Sequence, residues 1–548
     1  MNKKIMGLCV SLLGLILVYI GTYAYYMRVV NGTITGNTGA FVFDVLHNDE
    51  SFSSIDLYNT IESPSVTSSE VIVPGDEGKF VLKASGVGSD VDIEYSIIFN
   101  GTNVPANMKF YLDEGKTKVL DVQTNKINGY LDISESTSKE HTIYWEWPYD
   151  SGENNDLDYE YANKSISISV KVEGKQSDGI LIYGVKRDRN STGTEWERVE
   201  DSVGLVANAV LPGSTSTEND FDNIYPWSDI KSYNYDAKTK KVTAWYGDSN
   251  FKFDGSNGEV LTYIPGFYYK REVIDDIEYQ YISQYEIEGY SYSEPFSVGR
   301  YKISKVEDEI SSRSGVLPLV SSTISQFREL ATNFGSEFSQ MDWHYYVIQM
   351  LYLIEYADYD VQAKIGYGVV TPANIAEMGG TDSLGMKSGC LVNDRTGSSI
   401  YRGMEDLYSF VFEFIDGVNI KAYQAYINYN YKTYCSDTFS GDYKSLGYIN
   451  ASGNGYITKL GYDSNNPLIG LPTAITSGFT ESDYNISIKD AAYVANKGER
   501  ILAAGGCFFI ADVSSVGLWF SYASLGSDYS YGDVGARLIK HQTSGGRG

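Results

Sequence analysis

The sequence predicts an α+β chain in several parts, on three observations. A charge-free apolar run opens the chain, short strands of alternating apolar and polar residues follow, and segments of helical period then appear among further strands. At 548 residues the chain is long enough for several domains with their own cores. Its composition, 42% apolar and 21% charged, is that of a folded protein. The expected parts are a signal peptide or membrane anchor over 1–28, a β-sandwich domain over 29–176, an α+β region over 177–543 and a short tail over 544–548.

The first part rests on Lys3 and Lys4 followed by Ile5 to Tyr26, which carries no charge. Such a run exceeds the about 20 residues that span a bilayer, and the lysines favour keeping the short end in the cytoplasm. The rest of the chain is then exported to the cell surface or beyond, anchored through this segment or released by cleavage after Ala24. Cys9 follows Leu8, where a lipid-attachment site wants a small residue. Cys390, Cys435 and Cys507 are too few and too scattered for a disulfide framework; at most one bridge forms among them, and otherwise they read as buried thiols.

The sandwich is read from "AFVFDVL", "SIDLYNT", "GKFVLKAS", "DIEYSIIFNG", "HTIYWEW" and "SISISVKVEG", which alternate in side-chain character and are separated by turn residues. The alternation lapses at "GKQSDG" (174–179), a polar joint suited to a domain boundary. Beyond it, "STISQFRELATNFG" reads as a helix with a glycine C-cap. "DWHYYVIQMLYLIEYAD" reads as a core helix with Val347, Met350, Leu351 and Ile354 on one face. From 380 on, long segments rich in Gly, Ser, Asn and Tyr separate short apolar pieces, and loops of that length usually carry function.

A net charge of −28 repels phosphate backbones, which excludes nucleic acid as a partner. His47, His141, His344 and His541 stand far apart in sequence without the short-range ligand pairs of a zinc site, so no metal is expected, and His344 reads as a packed residue. The acidic run 149–160, with Asp150, Glu153, Asp156 and Asp158, lacks the EF-hand register and reads as a solvated turn. No nucleophile elbow, phosphate loop or dinucleotide motif is present. The expected activity is binding without catalysis, and no catalytic residue or cofactor is assigned. The excess of Tyr (48) over Phe (22) suits binding surfaces, because Tyr joins a large apolar ring to a hydroxyl that prefers a wet edge.

In the second half, "GVKRDRNSTGTEWERVEDSVGLVANA" (184–209), "NDFDNIYPWSDI" (219–230), "YIPGFYYKREV" (263–273), "SGVLPLVSSTISQFRELA" (314–331), "IQMLYLIEYADYDVQAKIGYG" (348–368), "GGTDSLGMKSG" (379–389) and "YRGMEDLYSFVFEFIDGVNI" (401–420) resemble segments of bacteriophage and prophage tail or minor structural proteins. That resemblance implies a C-type-lectin-like fold related to the formylglycine-generating enzymes. The GNVWEW element of those enzymes corresponds to Ser409 to Phe414, which keeps Glu413 and the apolar positions but loses both tryptophans. The enzymes' closing Gly-Phe-Arg corresponds to Gly535-Ala536-Arg537-Leu538, and their catalytic cysteine pair has no counterpart, which puts oxidase activity in doubt. The variable proteins of diversity-generating retroelements share that fold and close on a similar strand. Every residue from Cys507 to Asp533 except Trp519 belongs to the set reached by mutating adenines of an Asn codon. The glutamate-proline-asparagine type of calcium-lectin motif is missing. The first domain resembles, through "VIVPGDEGKF" and "TIYWEWPYD", exported β-sandwich proteins similar to camelysin and the TasA biofilm-fibre family.

These resemblances imply a surface adhesin that binds a protein or glycan on another cell or surface. A prophage tail receptor-binding protein and a structural fibre subunit are the alternatives. The stretch "GLWFSYASLGSDYSYGDVGARL" (517–538) has the mixture of rigid aromatics and adaptable small polar residues used by antibody loops. Phe520, Tyr522, Tyr529 and Tyr531 are the expected anchors, and Ser521, Ser524, Ser527, Asp528 and Asp533 the expected polar contacts. Strand alternation would turn some of these aromatics inward. Arg537 is expected to lock the fold through buried hydrogen bonds.

Overall fold

The computed structural model describes residues 40–541 except 52–54, 64–70, 106, 117–118, 121–125, 150–154, 163, 178, 372–374, 437–440, 486, 496–497, 509 and 511–512. The expected N-terminal segment 1–28 and tail 544–548 therefore lie outside the described residues, as do Asp150 and Glu153. Among the described residues no helix is long and apolar enough to cross a membrane. The fold is β-rich, with few helices. It divides into one unit of residues 1–115 and 120–180 and a second of 116–119 and 181–548.

In the first unit, alternation does what the sequence suggests. Phe80, Leu82 and Ala84 of the strand Glu77–Ser85 are buried while Lys79 and Lys83 face out. That strand pairs along its length with Ser138–Glu146, and Ile93–Thr102 pairs with Ser167–Gln176 in a second sheet. Their inward residues, among them Leu82, Ile143 and Trp145 from one sheet and Ile93, Ile97 and Phe99 from the other, form a single core shared by the two sheets. Tyr95 crosses between the sheets to His141, with its hydroxyl 2.7 Å from Nε2. Glycine is required beneath that ring, since a Cβ at Gly129 would come within 2.0 Å of it.

The second unit surrounds the helix His344–Tyr356, all 13 residues of which are buried. The expected single apolar face is thus part of a helix enclosed all round. The helix Ile324–Phe334 opens on a capping box of Thr323 and Gln326. Its expected glycine cap, Gly335, is extended at φ 177°, so the residue is small for contact rather than for handedness: a Cβ there would lie 2.9 Å from Phe338.

Two large sheets organise this unit. One runs Lys444–Ile449, Gln424–Ile427, Phe412–Lys421, Glu499–Ala504, Ser521–Leu525, Ala491–Val494, Gly453–Leu460 and Pro472–Ile475, with Val534–Gly535 alongside Phe412–Lys421 in parallel. In the other, the last strand, Leu538–His541, lies between Phe296–Gly299 and Phe338–Gln340. The chain end is thereby tied to strands laid down over 200 residues earlier, a long-range closure that needs a strong fastening.

Arg537 supplies one. Its guanidinium, wholly buried, meets Glu413 at 3.2 Å and donates to the carbonyls of Gly299 (2.9 Å), Arg300 (2.8 Å), Glu405 (2.6 Å) and Asp406 (3.1 Å). Lys302 Nζ closes the cluster 2.9 Å from Oε2 of Glu413.

Candidate functional site

The stretch 516–534 enters on a buried grip and leaves on a braced loop. Gln362 donates to the Val516 carbonyl (2.8 Å), and Tyr345 (2.9 Å) and Gln349 (2.6 Å) of the central helix donate to that of Leu518. The buried Asp490 accepts from the Trp519 amide at 2.7 Å, and a Cβ at Gly517 would come within 2.4 Å of the same carboxyl. Burial pushes the Asp490 carboxyl well above its ordinary range.

The strand Ser521–Leu525 then runs inside the sheet, antiparallel to Glu499–Ala504 and parallel to Ala491–Val494, with Tyr522 opposite Tyr493. Alternation turns Ser521, Ala523 and Leu525 inward and leaves Tyr522 and Ser524 half-buried. Tyr522 packs between Tyr493 (ring centroids 5.3 Å) and Phe412 (5.2 Å). Tyr493 continues to Phe479 (5.3 Å), and Phe479 to Tyr456 (5.2 Å). The result is a chain of rings that surfaces at Phe479, 38% exposed.

The loop after the strand is held at both ends. The Tyr529 hydroxyl donates to both oxygens of Asp533 (3.0 and 2.9 Å), and the Asp533 carbonyl accepts from the Phe412 amide at 2.8 Å. The Tyr531 carbonyl accepts from the Ser321 amide at 3.1 Å. Burial, reinforced by Asp533, keeps the Tyr529 phenol protonated as a donor. Tyr529 tilts against Tyr531 at 5.0 Å, and Tyr531 is 67% exposed, the most exposed aromatic of the stretch. Ser527 is half-buried and Asp528 exposed beside them. A loop fixed in this way presents its side chains at low entropic cost to binding.

Two expected contacts need correction. Phe520, expected as an anchor, is 1% exposed and belongs to the core, because Phe412 and Tyr493 cover it. Ser521, expected as a polar contact, is buried, because it sits on the inward phase of the strand. Its hydroxyl has no hydrogen-bond partner among the described residues. Replacing it with alanine is therefore expected to leave the thermal midpoint unchanged or raise it, since an unpaired buried hydroxyl costs about 1–3 kcal/mol. A clear fall in the midpoint by scanning calorimetry would contradict that placement. Conversely, Tyr493 and Phe479 belong to the face without having been singled out in the sequence. The alternating "AAYV" marks a strand at Tyr493, but only the parallel pairing brings it to Tyr522.

Two of the four histidines, far apart in sequence, are brought together in one place. His344 and His541 meet at Asp342, a set with the spacing to hold a metal ion. Four of its polar atoms already have partners: His344 Nδ1 donates to Asp342 Oδ1 (2.6 Å), the Tyr434 hydroxyl to Oδ2 (2.9 Å), and His541 Nε2 lies 2.7 Å from Ser339 Oγ. With His541 also stacked on Tyr431 at 3.8 Å, the group acts as a polar clasp on the closing strand. In the acidic run, Asp158 accepts from Trp147 (3.1 Å) and Asn107 (3.3 Å), so its carboxylate is committed to local structure.

These elements define a β-rich, two-unit protein whose second unit is closed by its last strand and carries an aromatic, acid-bordered face just before it. Compared with known proteins, the sequence matches no family model and no curated protein.

Proposed function

We propose that the protein is an exported cell-surface ligand-binding protein, and that the face formed by Tyr493, Tyr522, Tyr529 and Tyr531 makes the contact. The observation that carries this reading is the braced loop 526–533, which holds the exposed Tyr531 against the half-buried Tyr529 directly after the strand whose Tyr522 packs on Tyr493. Rigid tyrosines flanked by small polar residues form contact area without ordering cost. Export rests on the N-terminal apolar run.

For the second unit we infer a C-type-lectin-like fold. It is supported by the pairing of the chain end with an earlier strand and by the contact between Glu413 and Arg537, which lie in the two segments that resemble that family's motifs. The test is capture by the full chain on arrays of glycans and cell-surface proteins. The variant Phe479→Ala/Tyr531→Ala is expected to lose at least about tenfold in capture while its thermal midpoint moves by no more than a few degrees, because both side chains lie at the surface. Undiminished capture by the variant would defeat the reading.

A further inference from the structure

We infer that the ligand presented to this face is a cationic side chain, the guanidinium or ammonium of an arginine or lysine on a protein partner; this rests on the ligand-binding reading above. Tyr529 and Tyr531 are bordered by Asp528 and Asp533. Asp528 is exposed, Asp533 is bonded by the Tyr529 hydroxyl, and neither has a cationic partner among the described residues. The sequence supplies none locally either: between Arg500 and Arg537 there is no Lys, Arg or His, whereas Asp512, Asp528 and Asp533 fall in that interval.

A ring face next to an unneutralised carboxylate attracts a cation twice, through the π quadrupole and through charge. The chain already uses that combination close by. Lys489 lies 5.2 Å over the ring of Tyr484 while its ammonium bonds Asp360, and Tyr484 packs on Tyr456 at the end of the same series of rings. At Tyr529 and Tyr531 the rings stand beside the Asp533 carboxylate, with Asp528 exposed in the same loop, and no cation among the described residues pairs with either aspartate. The groups offered there are acceptors and hydroxyls, which suits a donor-rich cation better than an anionic or neutral partner. A protein partner is favoured because the chain's net charge of −28 would steer a basic surface toward it.

The test is fluorescence anisotropy of the full chain at physiological salt with a Gly-Ser-spaced peptide bearing three arginines, alongside its citrulline twin. The arginine peptide is expected to bind at least about tenfold tighter than the twin. That preference is expected to be lost in Tyr531→Ala, which leaves the net charge unchanged, and restored in Tyr531→Phe. Asp528→Asn is expected to weaken binding, whereas Asp275→Asn, which removes the same charge from an exposed hairpin of another sheet, is not. Binding that survives Tyr531→Ala, or falls equally with Asp275→Asn, would show diffuse attraction to an acidic protein and overturn the inference. The array screen separates this from the parent reading. A Tyr531-dependent glycan hit without arginine preference sinks the cation inference alone, and no Tyr531-dependent capture of any kind sinks both.

Discussion

Arg537→Ala is expected to destabilise the second unit by about 3–5 kcal/mol, the range for breaking a buried ion pair by removing one partner. Nothing can substitute for this side chain. Its guanidinium is fully buried, and its loss strips donors from four backbone carbonyls and from one side of Glu413, with no access for water to replace them. Arg537→Lys is expected to rescue little, because an ammonium cannot reach the carbonyls of Gly299 and Asp406 while still bonding Glu413.

Glu413→Gln leaves Lys302 and Arg537 facing each other without the carboxylate that both of them bond. Burial already pushes the Lys302 ammonium down, with Glu413 opposing. The double variant Glu413→Gln/Lys302→Met is therefore expected to be more stable than Glu413→Gln alone, a coupling that a double-mutant cycle in urea measures directly. Additive losses would mean that the cluster is not one network.

The second large effect is the response of the first unit to acid. Burial, aided by Lys139, holds the His141 imidazole down at about 4, and its Nε2 stays paired with Tyr95. The unfolded chain takes up this proton near pH 6.5 and the folded chain only near 4, so stability rises with pH across that window and falls on acidification. The slope approaches about 1.4 kcal/mol per pH unit, for a total of about 3 kcal/mol. His141→Gln is expected to flatten the dependence, as followed by denaturant titration of the first unit's transition between pH 7 and 4. An unchanged slope would contradict it.

The second unit behaves differently. Burial likewise holds His541 down at about 3, with Asp342 opposing. Burial and the neighbouring Glu405 raise the Asp406 carboxyl to about 7, and a raised carboxyl favours the folded state as pH falls below its folded value. The two effects oppose each other between pH 6.5 and 4, so the second unit's acid response is shallower than His541 alone would give.

The parts of the fold legible in the sequence were those set by local periodicity or by residue chemistry. Alternation placed Leu82 and Phe80 inward, and an arginine in an apolar closing segment had to be satisfied internally, as Arg537 is between the last two strands. What periodicity supplies is a period and not a phase. It could not decide that Phe520 and Ser521 face in while Tyr531 faces out, because that depends on Phe412 and Tyr493 arriving from other strands. The meeting of His344 with His541 at Asp342 was likewise invisible, since it is made by the closing strand. Gly335 shows the same limit on a smaller scale, where the residue type suggested a left-handed cap and the neighbouring Phe338 explains it instead.

The division of the C-terminal stretch into core and face is tested most directly by measuring thermal stability and array capture side by side for Phe520→Ala and for Phe479→Ala/Tyr531→Ala. Phe520→Ala is expected to cost about 3–5 kcal/mol of stability, as for a buried aromatic. The surface pair is expected to keep its midpoint and lose capture. A surface pair that unfolds, or that captures as well as the parent chain, would contradict the assignment of this face to binding.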